Sequence, residues 1–116
     1  EQGVSEADEI DDLDGEAIHL IALQDGAAVG TARLLRRGDK GKIGRVCVLA
    51  QARGAGIGAG LIRAAVAHFA AEPGVSRVSL GAQTHALGFY ERLGFAPVGA
   101  DYMDAGIPHR DMERPV

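Results

Sequence analysis

A glycine-rich turn that joins a strand to a helix holds the residues whose types best suit ligand chemistry. Residues 46–59 read VCVLAQARGAGIGA, so β-branched residues give way to Gly54, Gly56 and Gly58. Backbone N–H groups at the start of a helix point outward at the positive end of its dipole, which favours an anion. Glycines let the main chain itself approach a diphosphate. The segment therefore predicts a phosphate-binding turn, with Arg53 as a charged donor at its edge.

The residues alone leave two other interpretations of this turn open. The glycines could serve only to pack the helix closely on the sheet. The segment Gly54-x-Gly56-x-x-Ala59 is a weak match to the fingerprint of a dinucleotide-binding site. Such a site has an acidic residue about 20 residues further on, which binds the ribose, whereas this chain has Leu80-Gly81-Ala82-Gln83 there. A Walker phosphate loop is excluded, since no Gly-Lys-Ser/Thr follows.

Hydrophobic periodicity predicts the elements that must position the turn. Alternating residues around Asp25-Gly26 predict a hairpin, because that dipeptide adopts the positive φ angles of a tight turn. Apolar residues at three- and four-residue spacing after the glycines predict an amphipathic helix. The predicted elements are strands Ala17–Gln24, Ala27–Arg36 and Ile43–Leu49, helix Ala55–Ala71, strand Val75–Leu80, helix Thr84–Leu93 capped by Gly94, and two strands within 95–116 around a turn at Asp104–Pro108. The order β-β-β-α-β-α-β-β, with nothing predicted for residues 1–16, indicates one α+β domain over residues 1–116.

The composition excludes several classes of protein. A chain of 116 residues with 47% hydrophobic residues can bury a core without staples. The single cysteine, Cys47, allows no intramolecular disulfide, and the absence of a Cys/His cluster predicts no metal site. No stretch approaches the roughly 20 apolar residues of a membrane span, and the acidic start is unlike a signal peptide. A cytoplasmic domain without membrane partners is expected.

Charge is distributed unevenly along the chain. The first sixteen residues carry eight of the sixteen acids and no Lys or Arg, although the net charge is only −4. Eight of the twelve bases lie between Arg33 and Arg63, where Asp39 is the only acid. This middle segment suits a phosphorylated ligand or forms a solvated hairpin surface. Nucleic acid is a poorer match, because the pI is about 5.5 and aromatic residues make up 4%.

Two motifs in this order resemble a known family. Arg53-x-x-Gly56-x-Gly58 lies between a strand and a long helix, and FYERLGF follows at residues 89–95. Together they resemble the GNAT superfamily of acyl-CoA-dependent N-acetyltransferases. The segment from Gly81 to Tyr90 and the tail Asp104–His109 resemble its ElaA-like branch further. The resemblance covers nearly the whole chain.

The resemblance implies a GNAT-like fold, with a mixed, splayed sheet flanked by helices. It implies transfer of an acetyl group from the cosubstrate acetyl-CoA to a primary amine of a small molecule or peptide, by direct attack and without metal. Compared with complete members, the first strand and most of the first helix are expected to be missing, so the domain is expected to be N-terminally incomplete. The sheet edge left open in this way makes a homodimer plausible.

The resemblance also assigns roles to residues. Tyr90 would be the general acid that protonates the departing thiolate; the alternative is a core tyrosine. Gln83 would bond the pantetheine or merely start a helix. An N–H near Val48 would polarise the thioester carbonyl, and Cys47 is expected to be a small buried residue without a nucleophilic role. The coenzyme A residues implied are Val46, Cys47 and Val48 for the pantetheine, and Arg53, Gly54, Ala55, Gly56, Ile57 and Gly58 for the pyrophosphate.

The base that deprotonates the amine is not identified by the sequence. Side chains with suitable chemistry are His19, His85, His109, Glu91 and Asp104. Two functions of other classes stay open: a non-catalytic acyl-CoA-binding regulatory module, and a nucleotide-binding oxidoreductase.

Overall fold

One mixed sheet organises the protein, and a computed structural model describes it for residues 4–11, 17–49 and 56–116. The elements are strands β1 (Val4–Asp11), β2 (Ala17–Gln24), β3 (Ala27–Arg37) and β4 (Lys40–Val48), helix α1 (Ile57–Ala70), strand β5 (Arg77–Gln83), a 3-10 turn (Thr84–Ala86), helix α2 (Leu87–Glu91), and strands β6 (Ala96–Asp104) and β7 (Ile107–Pro115). In the described ranges the strands are ordered β1-β2-β3-β4-β5-β7-β6. Among the described strands only β4 and β5 pair in parallel, through the crossover that contains α1. The predicted mixed-sheet α+β class is confirmed.

Two-residue turns set the register of three hairpins. Asp25 and Gly26 have φ angles of 53° and 81°, as the sequence predicted, and Ala105 and Gly106 repeat this at 53° and 76°. Both pairs fit the type I′ turn, whose twist matches that of the flanking strands. The β3–β4 connection is tighter than predicted, because only residues 38–39 form the turn and β4 begins at Lys40 rather than Ile43.

The acidic opening contains a strand that the sequence did not predict. Strand β1 pairs antiparallel with β2, from Val4 opposite Ala22 to Asp11 opposite Ala17. Asp and Glu are depleted in strands, so propensity gave no signal, and the strand forms on the backbone edge that β2 offers. The order is therefore β-β-β-β-α-β-α-β-β, one strand more than predicted. The homodimer inferred from an open edge stays a prediction.

The two helices are shorter than predicted, for reasons visible at their ends. Helix α1 begins at Ile57, because Gly56 is its left-handed N-cap with φ 78°, and it ends before Ala71. The predicted helix 84–93 is a 3-10 turn followed by α2 alone. Beyond α2 the chain closes with Gly94 at φ 93°, where Phe95 N–H donates to Tyr90 O at 3.1 Å and Gly94 N–H to Glu91 O at 3.0 Å. This is a Schellman motif, and it confirms Gly94 as the cap.

The core lies between α1 and one face of the sheet. Its largest fully buried side chains are Leu20, Leu34, Leu61, Ile62, Phe69, Val78 and Met112. The Phe69 ring packs directly on Gly41 of β4, where an added Cβ would lie 2.5 Å from the ring. A glycine is therefore required there for the helix to approach the sheet. In the part of the chain that is described, no helix is long and apolar enough to cross a bilayer.

Charged side chains join β4, β5 and β7 at one end of the β4–β5 pair. Glu113 accepts from Lys40 Nζ at 2.8 Å and from Arg77 Nη1 at 2.8 Å, one bond to each carboxylate oxygen. The hydrogen bond from Lys40, more than any other contact, holds the pKa of Glu113 below its usual range. At this end the two parallel strands are paired from Lys40 opposite Arg77 to Ile43 opposite Leu80.

Replacing Glu113 by Gln should lower the free energy of unfolding by about 1 kcal/mol at neutral pH, because two partly exposed ion pairs are lost. A lowered folded-state pKa stabilises above the usual carboxyl range, and this contribution is lost as the pH falls through the folded value. The deficit of the variant should therefore shrink in acid. Urea unfolding at neutral and acidic pH measures this, with exposed Glu91→Gln as the control. A deficit of equal size at both pH values would contradict it.

Candidate active site

A β-bulge in β4 separates β4 from β5. Thr31 pairs with Cys47 and Arg33 with Gly44, so β4 advances by three residues where β3 advances by two. The extra residue falls at Arg45, whose φ is 52°. A bulge bends its strand and increases the local twist. The parallel ladder ends just before it, at Ile43, although both strands continue.

The divergence of β4 and β5 opens a cavity of about 500 Å³. It is lined by β4 (Ile43, Gly44, Arg45, Val46), β5 (Leu80, Gly81, Gln83), the 3-10 turn (Ala86), α2 (Tyr90), β6 (Tyr102, Asp104) and β7 (His109). We call the region where β4 and β5 diverge the splay. Apolar residues line the cavity near the closed end of the splay, and α2, β6 and β7 contribute titratable side chains.

Some of the predicted coenzyme residues meet at this cavity and others do not. Val46 and Gln83 line it from opposite sides of the splay. Cys47 does not, and it is exposed rather than buried as expected. Successive residues of a strand point to opposite faces, so Cys47 lies on the other face from half-buried Val46 and Val48. Its side chain lines a shallow recess beside Thr31 instead.

The predicted phosphate turn is described only from Gly56 onward. Arg53, Gly54 and Ala55 lie outside the described residues. Gly56 adopts φ 78° and ψ 9°, and its carbonyl accepts the first helical hydrogen bond from Gly60 N–H at 2.9 Å. Ile57 is buried, and an added Cβ on Gly58 would lie 3.8 Å from Phe89 and 3.9 Å from Val48. The start of α1 is thus placed beside the end of β4, and its first turn contains no acid.

The Schellman motif and two neighbouring rings fix Tyr90 at the end of α2. Its ring meets Phe89 edge-on at a centroid distance of 5.0 Å and Phe95 at 6.2 Å. Burial raises the pKa of Tyr90 above its usual value, so its hydroxyl keeps its proton at neutral pH. Tyr90 both lines the cavity and packs against the core.

A second tyrosine, which the sequence reasoning missed, lies on the other side of the cavity. Tyr102 donates its hydroxyl to Asp111 Oδ1 at 2.7 Å, and this hydrogen bond is the main cause that raises the pKa of Tyr102 to about 12. The hydroxyl lies over Gly81, where an added Cβ would be 2.6 Å away. The Tyr102 and His109 rings stack at 5.9 Å with 23° between their planes. The turn at residues 105–106 could have revealed this pair, because counting outward from it sets Tyr102 opposite His109.

The structure separates the five candidates for the base. His109 and Asp104 line the cavity. His85 and Glu91 are exposed on the 3-10 turn and α2, outside the lining. His19 lies on β2, also outside the lining.

A mixed sheet that splays between two parallel strands, with a helix starting beside the splay, is the architecture of acyl-CoA N-acyltransferases. A family model described as an acetyltransferase (GNAT) domain matches residues 4–115, and the chain belongs to this family. YjcF of Bacillus subtilis, named an uncharacterized N-acetyltransferase, is 39% identical over 113 residues, which cover 97% of this chain and 80% of YjcF.

ElaA of Escherichia coli is similar in both sequence and structure. It is 36% identical over 113 residues, covering 91% of this chain and 71% of ElaA. Its crystal structure matches with a TM-score of 0.76 over 84% of this chain and 68% of that one, at 32% identity. An acyl-CoA N-acyltransferase from Pseudomonas aeruginosa matches with a TM-score of 0.78 over 86% and 69% of the two chains, at 35% identity. The GNAT and ElaA-like resemblance is thereby confirmed.

The left-handed backbone of Arg45 gives a direct test of the bulge. A β-branched side chain is disfavoured at positive φ, whereas asparagine tolerates it. Arg45→Val should therefore be less stable than Arg45→Asn by about 1 kcal/mol or more, although both variants lose the same charge. Chemical denaturation of the two variants measures the difference. Equal stabilities would show that the bulge does not depend on this conformation.

Proposed function

We propose that this chain transfers an acetyl group from acetyl-CoA to a primary amine of a small molecule or peptide. The observation that carries the proposal is the opening between β4 and β5, because it brings Val46, Gln83 and Tyr90 to one cavity. Family membership supports the use of an acyl-CoA. When bound, acetyl-CoA supplies a thioester whose carbonyl carbon is the atom that the amine attacks.

The start of α1 would bind the diphosphate of the coenzyme. The left-handed Gly56 turns the chain into the helix, and the absence of acids from the first turn leaves the dipole uncompensated for an anion. Residues 53–58 would contribute backbone N–H groups, and Arg53 a charged donor. Of these, Arg53, Gly54 and Ala55 are proposed from the sequence motif alone.

The diverging edge of β4 would bind the amide-bearing arm of the coenzyme. The ladder between β4 and β5 ends at Ile43 and Val46 lines the cavity beyond it, which supports pairing of Val46–Val48 with an extended ligand as with an added strand. A main-chain N–H of this segment would polarise the thioester carbonyl, a contribution of about 3 kcal/mol in known oxyanion holes. Gln83, across the splay, offers an amide to the same arm.

Tyr90 would protonate the departing thiolate. Its raised pKa keeps the proton on the hydroxyl until the transfer. A dinucleotide-dependent oxidoreductase is not favoured, because β3, the other neighbour of β4, is antiparallel and no doubly wound parallel sheet exists in the described ranges.

The proposed function is tested by ligand-dependent unfolding and by thiol release. Acetyl-CoA should raise the midpoint of thermal unfolding and NAD should not, since a ligand stabilises the state that binds it. Free thiol should then appear when a panel of primary amines is added: polyamines, amino sugars, amino acids and peptides. Stabilisation by acetyl-CoA without thiol release from any amine would indicate a binding module instead. Stabilisation by NAD alone would overturn the proposal.

Tyr90→Phe should lower kcat by about tenfold or more, because the variant keeps the ring packing but has no proton to donate. This reduction in kcat is expected to be small for the loss of a general acid, because a thiolate is a modest base and can leave without a proton. Affinity for acetyl-CoA, measured by calorimetry, should stay within about twofold and serves as the internal control. Unchanged kcat would remove Tyr90 from the mechanism.

A further inference from the structure

His109 occupies the middle of a row of side chains that crosses three strands. Its cross-strand partners are Tyr102 on β6 and Gln83 on β5. Directly opposed residues of antiparallel strands share a face, so the three side chains lie side by side. Leu80 and Ala82, which alternate with this row along β5, are buried in the core beneath the helices. The row therefore lies on the face opposite α1 and ends at the splay.

One hydrogen bond sets the tautomer of His109. Its Nδ1 lies 2.7 Å from the carbonyl oxygen of Ile107. Because a carbonyl can only accept, Nδ1 must carry the proton, and in the neutral ring Nε2 is then the atom with the free lone pair. The half-buried ring lines the cavity, so Nε2 is the basic atom that this side chain offers there.

Tyr102, Tyr90 and Asp111 are less suited than His109 to accept a proton. The Tyr102 hydroxyl is committed as a donor to Asp111, and Tyr90 holds its own proton because it is buried. The titratable and charged groups that share the cavity with His109 are Arg45 from β4, Tyr90 from α2, and Tyr102 and Asp104 from β6. Asp111 on β7 accepts the hydrogen bond from Tyr102.

We propose that Nε2 of His109 is the general base that takes the proton from the acceptor amine, an inference that rests on the acetyl transfer proposed above. The neutral amine nitrogen forms the new N–C bond to the acyl carbon as the C–S bond breaks. The electron pair of the C–S bond leaves on sulfur, which takes the proton of the Tyr90 hydroxyl, and the proton of the attacking nitrogen passes to Nε2. Solvent then removes the proton from His109 and returns one to Tyr90. The net products are the N-acetyl amine and the free thiol.

The position of the two groups fits direct attack. Tyr90 reaches the cavity from the core side with α2, and His109 reaches it from the opposite face of the sheet. In a direct displacement the nucleophile approaches on one side of the acyl carbon and the leaving group departs on another. A proton acceptor and a proton donor on opposite faces of the splay serve these two sides without competing for one proton.

The test compares His109→Gln with His85→Gln, an identical change at an exposed histidine outside the cavity. His109→Gln should lower kcat by about 100-fold, with little change in acetyl-CoA affinity. His85→Gln should behave as the parent protein. Parent-like turnover in His109→Gln would overturn the assignment of the base alone. Absence of turnover in the parent protein with every amine would overturn the proposed acetyl transfer, and this inference with it.

A second measurement needs no bound coenzyme. Nitrogen-15 NMR of the histidine rings, with His109→Gln used to assign the signal, should show His109 protonated at Nδ1 and bare at Nε2 when the ring is neutral. The opposite tautomer would contradict the proposed role, because Nε2 would then have no lone pair to offer. Thermal unfolding of His109→Gln within a few degrees of the parent would show that lost turnover is chemical rather than structural in origin.

Discussion

The site depends on where the parallel pairing between β4 and β5 stops. The two strands form a regular ladder only from Lys40 to Ile43 and then diverge. An uninterrupted ladder would have filled the cavity with backbone hydrogen bonds and left no opening between the strands. Beyond Ile43 the two strands no longer supply hydrogen-bonding partners to each other, and exposed main-chain groups bond to water or to a ligand. A ligand that carries its own amides can replace that water without loss of hydrogen bonds.

The closed end of the pair is held more firmly than the open end. Glu113 joins Lys40 and Arg77, and the contact between Phe69 and Gly41 packs α1 on the same end of β4. At the open end, by contrast, Arg45 adopts a left-handed conformation that side chains seldom take, at a cost of about 1–2 kcal/mol. Strain of this kind persists where the surrounding structure stabilises it, and the contacts at the closed end stabilise the strand that carries Arg45.

The sequence predicted the parts of the fold that local chemistry determines. Asp25-Gly26 and Gly94 were placed correctly, because each needs a positive φ that few residues adopt readily. The bulge at Arg45 was not predictable, since arginine gives no local signal for a left-handed conformation. Strand β1 was missed because its formation depends on the edge of β2, which is a tertiary effect. Local patterns thus predicted turns and caps, but not the pairing that creates the cavity.

The residues of the candidate site also divide into those that motifs indicated and those whose placement depends on strand pairing. Val46, Gln83 and Tyr90 were named from motifs, and all three lie at one cavity, whereas the exposure of Cys47 depends on which face the bulge gives it. The row that ends in Tyr102 was missed although its information was local. A two-residue turn at positions 105–106 fixes the hairpin register, and register alone stacks the Tyr102 ring on His109. Glycine at position 81 then leaves room for the Tyr102 hydroxyl to reach Asp111. The short turn at residues 105–106 therefore determines how Tyr102 and His109 are arranged at the cavity.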